Sequence, residues 1–322
     1  MKTKASPNVL RKRFFAASTI IAIAITALGF TITPASAALF VSSEPTATVG
    51  QYDATTGATI STNFIPGFQH PWSMALSDTA LFVAEHQFNT STIGKFDPVT
   101  GTASTNWISP TGVRLPSGLA LSGNTLYIAD AVSARIGQYD ATTGATINAN
   151  FITGLAGPYG LLVAGNALYV SNPGTLQVFG KYDATTGAAI AGFNSSSSPG
   201  DSYAMALYGN YLYATNTQTN SVGQYDATTG ATINANFITG LNYPEGLAVS
   251  ENYLYVSNYL GGTVGQYDAA TGVAINTNFI TGLTYPSGLA VNSSVPEPSA
   301  TLLGIVGFAA LLRRRFRNDR RA

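Results

Sequence analysis

The residues best suited to acid–base chemistry are two histidines and one glutamate. His70 and His86 are the only histidines in the 322-residue chain, and Glu85 directly precedes His86. Imidazole and carboxylate groups can exchange protons near neutral pH, so these three side chains are the candidate catalytic residues. They match no Ser-His-Asp order and no metal-ligand spacing, and the simpler interpretation makes both histidines ordinary loop residues.

A second set of residues could bind a ligand by ring stacking and hydrogen bonding. Its members are aromatic or acidic and lie in or beside predicted loops: Trp72, Tyr159, Tyr203, Tyr243, Tyr285, Asp130 and Glu245. Aromatic rings stack on the C–H faces of sugars, while carboxylates accept hydrogen bonds from sugar hydroxyl groups. This combination predicts a ligand-binding mouth that suits carbohydrate.

Composition excludes several other kinds of site. The chain has no cysteine, which excludes disulfides, thiolate metal sites and cysteine nucleophiles. Of the 15 lysines and arginines, five lie in the first 13 residues and six in the last ten, which leaves four between them. The stretch from Ala38 to Ser294 carries 13 acidic residues against those four cations, so no nucleic-acid partner is expected. The sequence predicts no bound cofactor and no metal ion.

An internal repeat must position these candidates. The hexapeptide Tyr-Asp-Ala-Thr-Thr-Gly or a close variant occurs six times at spacings of 42 to 44 residues. Its aspartates are Asp53, Asp97, Asp140, Asp183, Asp226 and Asp268. Each period holds four short segments between turn signals, which is typical of a propeller blade. The sequence therefore predicts an all-β fold, a six-bladed β-propeller with four-stranded blades. A β-solenoid is the alternative, but its coils are usually shorter.

The phase of the repeat predicts how the ring of blades closes. The predicted propeller domain, residues 38–294, starts on a second-strand marker at Leu39–Ser42 and ends its repeats on a lone first-strand segment at Gly288–Val291. The C-terminal strand can therefore complete the blade that the N-terminal strands begin. Closure of this kind leaves no uncovered interface between the first and last blades.

The repeated aspartates and aromatic residues have structural interpretations. An aspartate followed four residues later by glycine between two strands is typical of a hairpin turn, whereas a calcium site needs several converging carboxylates. An aromatic residue directly precedes each aspartate, as Tyr52 and Phe96 do. Its recurrence in every blade indicates packing between sheets rather than six identical binding sites.

Residues 1–37 have the features of a signal peptide. Basic residues end at Arg13, an apolar run follows from Phe14 to about Ile32, and Ala35–Ala37 provides an Ala-x-Ala cleavage site. We expect signal peptidase to cleave after Ala37. An uncleaved membrane anchor is the alternative, because the apolar run is long for a signal peptide.

Residues 295–322 combine three features of a sorting signal. The motif at 295–299 starts with Val295, Pro296, Glu297 and Pro298. An apolar segment that predicts a helix follows at 300–312, and a basic end covers 313–321. This order resembles the PEP-CTERM sorting signal of Gram-negative bacteria, a region also described as the C-terminal domain of ice-binding proteins. The resemblance implies export, transient anchoring of the C-terminal helix in the inner membrane, recognition by an exosortase, and release to the cell surface or extracellular matrix. A plain single-span anchor is the alternative.

The repeat markers over Leu39–Val291 resemble those of NHL-repeat propellers. In that family the third strand of a blade often carries a basic residue. Here only Lys95 and Lys181 are basic at that position, and glutamine occupies the other four. A ligand role tied to the basic position is therefore not carried over.

Two function classes follow from these features. Proteins with the sorting tail often accompany exopolysaccharide production, so the resemblance implies a surface or matrix protein. We expect a binding or structural module whose partner is polysaccharide or another surface protein. The alternative is a lyase- or lactonase-like enzyme that uses His70, His86 and Glu85.

Overall fold

Short β-strands make up the secondary structure of the described chain. The computed structural model describes residues 37–86, 92–104, 112–173, 179–193 and 202–292. Within these ranges there is no helix, and so none long and apolar enough to cross a membrane. The predicted sorting tail and, apart from Ala37, the predicted signal peptide lie outside the described residues.

The strands assemble into six antiparallel sheets, which are the blades. Blade 1 contains β1 (Ala38–Ser43), β2 (Thr48–Asp53) and β3 (Thr59–Ile65), and blade 2 contains β4 (Pro71–Leu76), β5 (Leu81–Glu85) and β6 (Ile93–Phe96). Blade 3 contains β7 (Pro116–Ser122), β8 (Thr125–Asp130), β9 (Arg135–Asp140) and β10 (Thr146–Thr153), and blade 4 contains β11 (Leu161–Ala164), β12 (Ala167–Ser171) and β13 (Phe179–Asp183). Blade 5 contains β14 (Met205–Tyr208), β15 (Tyr211–Asn216), β16 (Ser221–Asp226) and β17 (Thr232–Ile238), and blade 6 contains β18 (Pro244–Ser250), β19 (Tyr253–Asn258), β20 (Thr263–Asp268) and β21 (Ala274–Ile280). The last strand, β22 (Pro286–Val291), joins blade 1.

This architecture confirms the predicted six-bladed propeller. Four blades have four strands, and blades 2 and 4 have three within the described residues. In those two blades, isolated bridges between Phe96 and Ala103 and between Tyr182 and Ala189 continue the sheet beyond its third strand.

The ring closes where β22 pairs with β1. Leu39 lies opposite Val291 and Phe40 opposite Ala290, which gives blade 1 the strand order β22-β1-β2-β3. The predicted completion of the first blade by the C-terminal strand is therefore confirmed. Burial is high in both strands of the seam, since all six residues of β1 and four of the six residues of β22 are buried.

Tyrosines of the second strands connect neighbouring blades. Their hydroxyl groups donate to a carbonyl oxygen in the next blade's Tyr-Asp-Ala turn: Tyr127 to Ala184 (2.6 Å), Tyr169 to Ala227 (2.8 Å), Tyr213 to Ala269, and Tyr255 to Ala54 (2.6 Å). The last of these bonds joins blade 6 to blade 1. The closing junction is therefore held by the same contact as three others.

Five of the six aromatic residues of the third strands are buried core residues, and the sixth, Tyr182, is partly buried against the core. Tyr52 and Tyr139 are buried, and each ring folds back over the glycine two residues before it. A Cβ atom at Gly50 would lie 2.8 Å from the ring of Tyr52, so any other residue there would displace the ring. The recurring Gly-x-Tyr sequence is thus a packing requirement.

The blades present two faces with different connections. The mouth face carries the loops that lead from one blade into the inner strand of the next, together with the turns between second and third strands. The opposite base face carries the other hairpins, including the six aspartate turns. In the first of these, Asp53 Oδ1 accepts the backbone N–H groups of Thr55 (2.9 Å) and Thr56 (2.7 Å), and Gly57 adopts a φ of 74°. The hairpin interpretation of the aspartates is therefore confirmed.

Candidate functional site

Aromatic rings from several blades meet on the mouth face. Neighbouring inner strands follow the order β22, β4, β7, β11, β14, β18, so blades 2 and 5 stand opposite each other. Trp72 is the second residue of the inner strand of blade 2, and Tyr203 leads into the inner strand of blade 5; their ring centroids lie 6.1 Å apart. Tyr159, from blade 4, meets Tyr203 edge-on at 5.0 Å. The rings therefore come together across the axis of the propeller.

His86 completes this group of rings. Its imidazole stacks on Trp72, with centroids 4.8 Å apart and planes 24° apart, and it lies 6.1 Å from the ring of Tyr159. We call Trp72, His86, Tyr159 and Tyr203 the inner ring cluster. Because each ring contacts two others, the cluster caps the axial end of the inner strands.

A row of three tyrosines extends the cluster towards the seam between blades 6 and 1. Tyr243 lies 6.4 Å from Tyr203 and 5.9 Å from Tyr259, and Tyr259 stacks on Tyr285 with centroids 4.9 Å and planes 21° apart. We call Tyr243, Tyr259 and Tyr285 the outer tyrosine row. Tyr285 is 42% exposed and is the most open ring of the seven, so the row ends at solvent.

Two tyrosines of the row have a backbone conformation that bulky residues rarely adopt. The φ angles of Tyr243 and Tyr285 are 57° and 46°, and Gly157 holds the equivalent position in blade 4 with a φ of 86°. Glycine accepts this left-handed conformation without steric cost, whereas tyrosine does not. Strained positions of this kind cluster at ligand sites.

The histidines differ in environment. Burial and the neighbouring His70 lower the pKa of His86 to about 4, so its ring is neutral at pH 7. Its Nε2 atom is buried without a hydrogen-bond partner among the described residues. His70 is exposed, and its backbone N–H donates to Glu85 Oε1 at 2.7 Å. The structure brings His70 and His86 close to each other in neighbouring loops, but only His86 joins the rings.

Two of the predicted site carboxylates bind the backbone of the loops beside them. Glu85 Oε1 accepts the N–H groups of Gln69 (2.6 Å) and His70. Asp130 is only 1% exposed, accepts the N–H of Arg114 at 3.1 Å and forms an ion pair with Arg135 at 3.8 Å. Both carboxylates therefore shape the mouth by fixing its loops. Their proposed contacts with a ligand or substrate stay predictions.

Glu245 differs from those two carboxylates. It is only 4% exposed, and its Oε2 atom has no hydrogen-bond partner in the described part of the chain. Burial and the nearby Glu44 raise the pKa of Glu245 to about 9. Glu44 in turn accepts a hydrogen bond from the Tyr259 hydroxyl at 3.0 Å. Burial and this bond raise the pKa of Tyr259 above its usual range.

Sequence reasoning missed Glu44 and Tyr259. Each directly follows the second strand of its blade, as His86 does. That position starts the turn into the third strand, on the mouth face. A comparison of the residue after each second strand would have found these two as well as His86.

Beneath the rings, the inner strands enclose an axial cavity of about 430 Å³. Its wall is mostly aliphatic, and Glu245, Ser117 and Ser287 add polar groups. Across the described residues, no three histidine or acidic side chains are grouped closely enough to hold a metal ion.

Comparisons with known proteins give a fold and one short sequence match. The LVIVD repeat family matches residues 243–261, which cover the first two strands of blade 6. No curated protein matches the chain. A solved structure, "Crystal structure of Nidogen/Laminin Complex", contains a chain with 16% sequence identity and a TM-score of 0.68, and the match covers 80% of this chain and 99% of that one. The computationally designed Ika8 protein has 14% identity and a TM-score of 0.49, with 79% of this chain and 77% of that one covered. The similarity to the nidogen/laminin chain shows a shared propeller fold.

Proposed function

We propose that this chain is an exported binding module whose mouth face holds carbohydrate. The main support is the stack of Tyr259 and Tyr285, an open aromatic surface that continues inwards to Trp72. Stacked rings offer a flat apolar surface to the C–H face of a sugar. Glu44, beside the stack, can accept hydrogen bonds from its hydroxyl groups.

The backbone of the outer tyrosine row supports the same proposal. Tyr285 holds its ring outwards from a left-handed conformation that glycine would adopt without strain. The ring contributes little to packing, since it is 42% exposed and stacks on only one described neighbour, Tyr259. A contact with a ligand accounts for an exposed ring at a strained position.

The same proposal includes export to the cell surface or extracellular matrix. It rests on the Ala-x-Ala site before Ala38 and on the motif at 295–299 with its basic end, which would be recognised by signal peptidase and an exosortase. The similar nidogen/laminin chain was solved in a complex, so a propeller of this shape is compatible with a surface partner. Mass spectrometry of protein from its host should find a start at Ala38 and no Arg313–Arg321 segment. An intact segment on most exported molecules would contradict the sorting step.

The test of binding is a glycan array followed by calorimetry on the full-length protein. Replacement of Tyr285 by glycine removes the ring and leaves the backbone relaxed, so the fold is kept. We expect the affinity for an array hit to fall about fivefold in Tyr285→Gly, since one stacking contact contributes about 1 kcal/mol. Trp72→Ala should weaken binding at least as much, because it opens the inner ring cluster.

The matched control is Tyr211→Ala. Tyr211 is similarly exposed, at 38%, but it starts β15 on the base face. Its replacement should leave the affinity unchanged. An empty array, or equal losses in Tyr211→Ala and Tyr285→Gly, would contradict carbohydrate binding at the mouth.

A lyase- or lactonase-like enzyme is the second candidate, and one observation favours it. The neutral imidazole of His86 has a buried, unpartnered Nε2 beside the rings of Trp72 and Tyr159, where it could accept a proton. Turnover of an array hit that is lost in His86→Phe, with binding retained, would replace the binding proposal by this one.

A further inference from the structure

The seam between blades 6 and 1 gathers two carboxylates and two stacked tyrosines on the mouth face. Glu44 follows β1, Glu245 is the second residue of β18, and Tyr259 and Tyr285 come from the loops beside them. The Tyr259 hydroxyl donates to Glu44 Oε2 at 3.0 Å, and the Tyr259 and Tyr285 rings stack at 4.9 Å. We call these four side chains the seam pocket.

One carboxyl oxygen of the seam pocket, Glu245 Oε2, has no hydrogen-bond donor among the described residues. Glu245 is 4% exposed, and its Oε2 atom has no partner in the described part of the chain. A buried carboxyl oxygen without a partner is costly, and the nearby Glu44 adds a like charge. A donor that also carries positive charge would satisfy both carboxylates.

The four cations of the propeller act elsewhere. Lys95 and Lys181 donate to the carbonyl oxygens of Ala141 and Ala227, and Arg135 pairs with Asp130. Arg114 lies in the loop that leads into blade 3, away from the seam. The described chain therefore offers the seam pocket no cation of its own.

The chemistry of the pocket selects among cations. A calcium ion takes six to eight oxygen ligands, usually with several carboxylates, and only two carboxylates lie here. A primary ammonium group has three N–H donors, can donate to more than one carboxylate, and is attracted by the faces of tyrosine rings. An open tyrosine stack beside it suits a sugar ring that bears the ammonium group.

We propose that the seam pocket binds the primary ammonium group of an amino sugar, with Glu245 and Glu44 as acceptors and the Tyr259–Tyr285 stack as the platform for the sugar ring. The ammonium site rests on the seam residues alone, and its assignment to a sugar rests on the carbohydrate function proposed above.

Binding of the ammonium group exchanges one positive charge for another. In the empty pocket Glu245 carries a proton near pH 7, because burial and Glu44 raise its pKa to about 9. The other titratable groups that face it are Glu44 and Tyr259. When the ammonium group enters, Glu245 gives its proton to solvent and becomes the carboxylate that pairs with the cation. Up to one proton is therefore released for each ligand bound.

The test is calorimetry on the full-length protein with a glucosamine tetramer and with the corresponding N-acetylglucosamine tetramer, at slightly acidic pH. The two probes differ in charge and in the N–H donors. We expect at least tenfold tighter binding of the glucosamine tetramer, and titrations in buffers of different ionisation enthalpy should show proton release only with that probe. Methylamine serves as a probe without a sugar ring.

Two variants and one control locate the effect. Glu245→Gln should abolish the preference and the proton release, and Glu44→Gln should reduce the preference. Glu251→Gln, an exposed glutamate in the base-face hairpin of the same blade, should change neither.

Each of the other possible outcomes rejects a defined part of the proposal. Equal affinity for both tetramers, with binding retained, rejects the ammonium site and leaves carbohydrate binding in place. Methylamine binding as tight as that of the glucosamine tetramer rejects the sugar platform and leaves the ammonium site. Absence of binding by all three probes rejects the inference, while a hit elsewhere on the glycan array would keep the proposed function.

Discussion

The base face and the mouth face of this propeller are built on opposite plans. On the base face one turn is repeated, and Asp226 Oδ1, for example, accepts the N–H groups of Thr228 (2.9 Å) and Thr229 (2.7 Å), as the other five aspartates do with their own turns. On the mouth face the residue near the start of each inner strand varies: Trp72, Ser117, Tyr159, Tyr203, Glu245 and Ser287. Each strand has one end on the base face and the other on the mouth face. Residues that stabilise the turns and residues that could contact a ligand can therefore change independently in the same blade.

Asp226 on the base face and Glu245 on the mouth face make the stability of the fold depend on pH in opposite directions. Hydrogen bonds from the N–H and hydroxyl groups of Thr229 lower the pKa of Asp226, so this turn stabilises the fold above the usual aspartate range and loses that effect as pH falls. Burial raises the pKa of Glu245 to about 9. The folded protein therefore loses stability as pH rises from 4.5 towards 9, because the unfolded chain releases this proton and the folded protein keeps it. His86, also on the mouth face, has its pKa lowered to about 4 and follows the direction of Asp226, because its contribution to stability is lost as pH falls below 6.5.

Removal of β22 should have the largest effect, because it opens both faces at once. A chain that ends at Tyr285 leaves blade 1 without its inner strand and removes Leu289 and Ala290 from the core. We expect loss of cooperative thermal unfolding, since the free energy contributed by the contacts of this strand is comparable with the net stability of a whole protein, about 5–15 kcal/mol. A chain that ends at Asn292 is the control. Equal melting of the two chains would show that β22 does not close the ring.

Glu245→Gln should have the next largest effect, and only on the mouth face. The folded protein holds a proton on Glu245 that the unfolded chain releases, and between pH 4.5 and pH 7 this costs on the order of 3 kcal/mol of stability. Glutamine has the same shape but no charge to lose. The variant should therefore be more stable than the wild type at about pH 8, by a margin that shrinks towards pH 5. Urea unfolding at several pH values measures it.

The control for that measurement is Glu251→Gln, on the base face of the same blade. Its unfolding free energy should follow the wild type at every pH. If Glu245→Gln also runs parallel to the wild type, Glu245 is ionised in the folded protein, and the contrast between the faces fails.

Tyr255→Phe should have the smallest of the three effects and should leave the mouth unchanged. The Tyr255 hydroxyl donates to Ala54 O at 2.6 Å across the seam, and its loss leaves a buried carbonyl group unsatisfied. We expect a loss of about 1–2 kcal/mol in unfolding free energy with no change in ligand affinity. Tyr213→Phe, which removes the same bond between blades 5 and 6, should cost as much. A much larger loss in Tyr255→Phe would mean that the seam is weaker than the other junctions.

The fold could be predicted because the same turn residues recur in every repeat. Aspartate and glycine at a fixed spacing mark the same turn six times, and each turn forms from its own neighbours, as the bonds from Thr55 and Thr56 to Asp53 show. The phase of the markers also predicted the β22–β1 pairing. Both predictions needed only short-range sequence patterns and the number and order of the repeat markers.

The site was predicted only in part because its contacts are not local. The sequence placed Trp72 and His86 on one face, but the stack between them depends on side-chain directions that no spacing fixes. Glu44 belongs to the first blade of the chain and Glu245 to the last. They become neighbours only after the ring of blades has closed. Asp130 has the right chemistry for a ligand, yet its oxygens accept backbone N–H groups of the neighbouring loop that leads into blade 3.

The pairing of β1 with β22 also has a consequence for the order of folding. Ala38 and Asn292 are 254 positions apart in the chain, whereas Leu39 and Tyr52 pair within one hairpin. The entropy lost on closing a loop grows with the logarithm of its length, so the seam costs about 3 kcal/mol more to form than such a hairpin. The seam should therefore form last. Until it does, β1 presents an unpaired strand edge, and the lifetime of that open ring sets how long the chain can pair with another copy of itself.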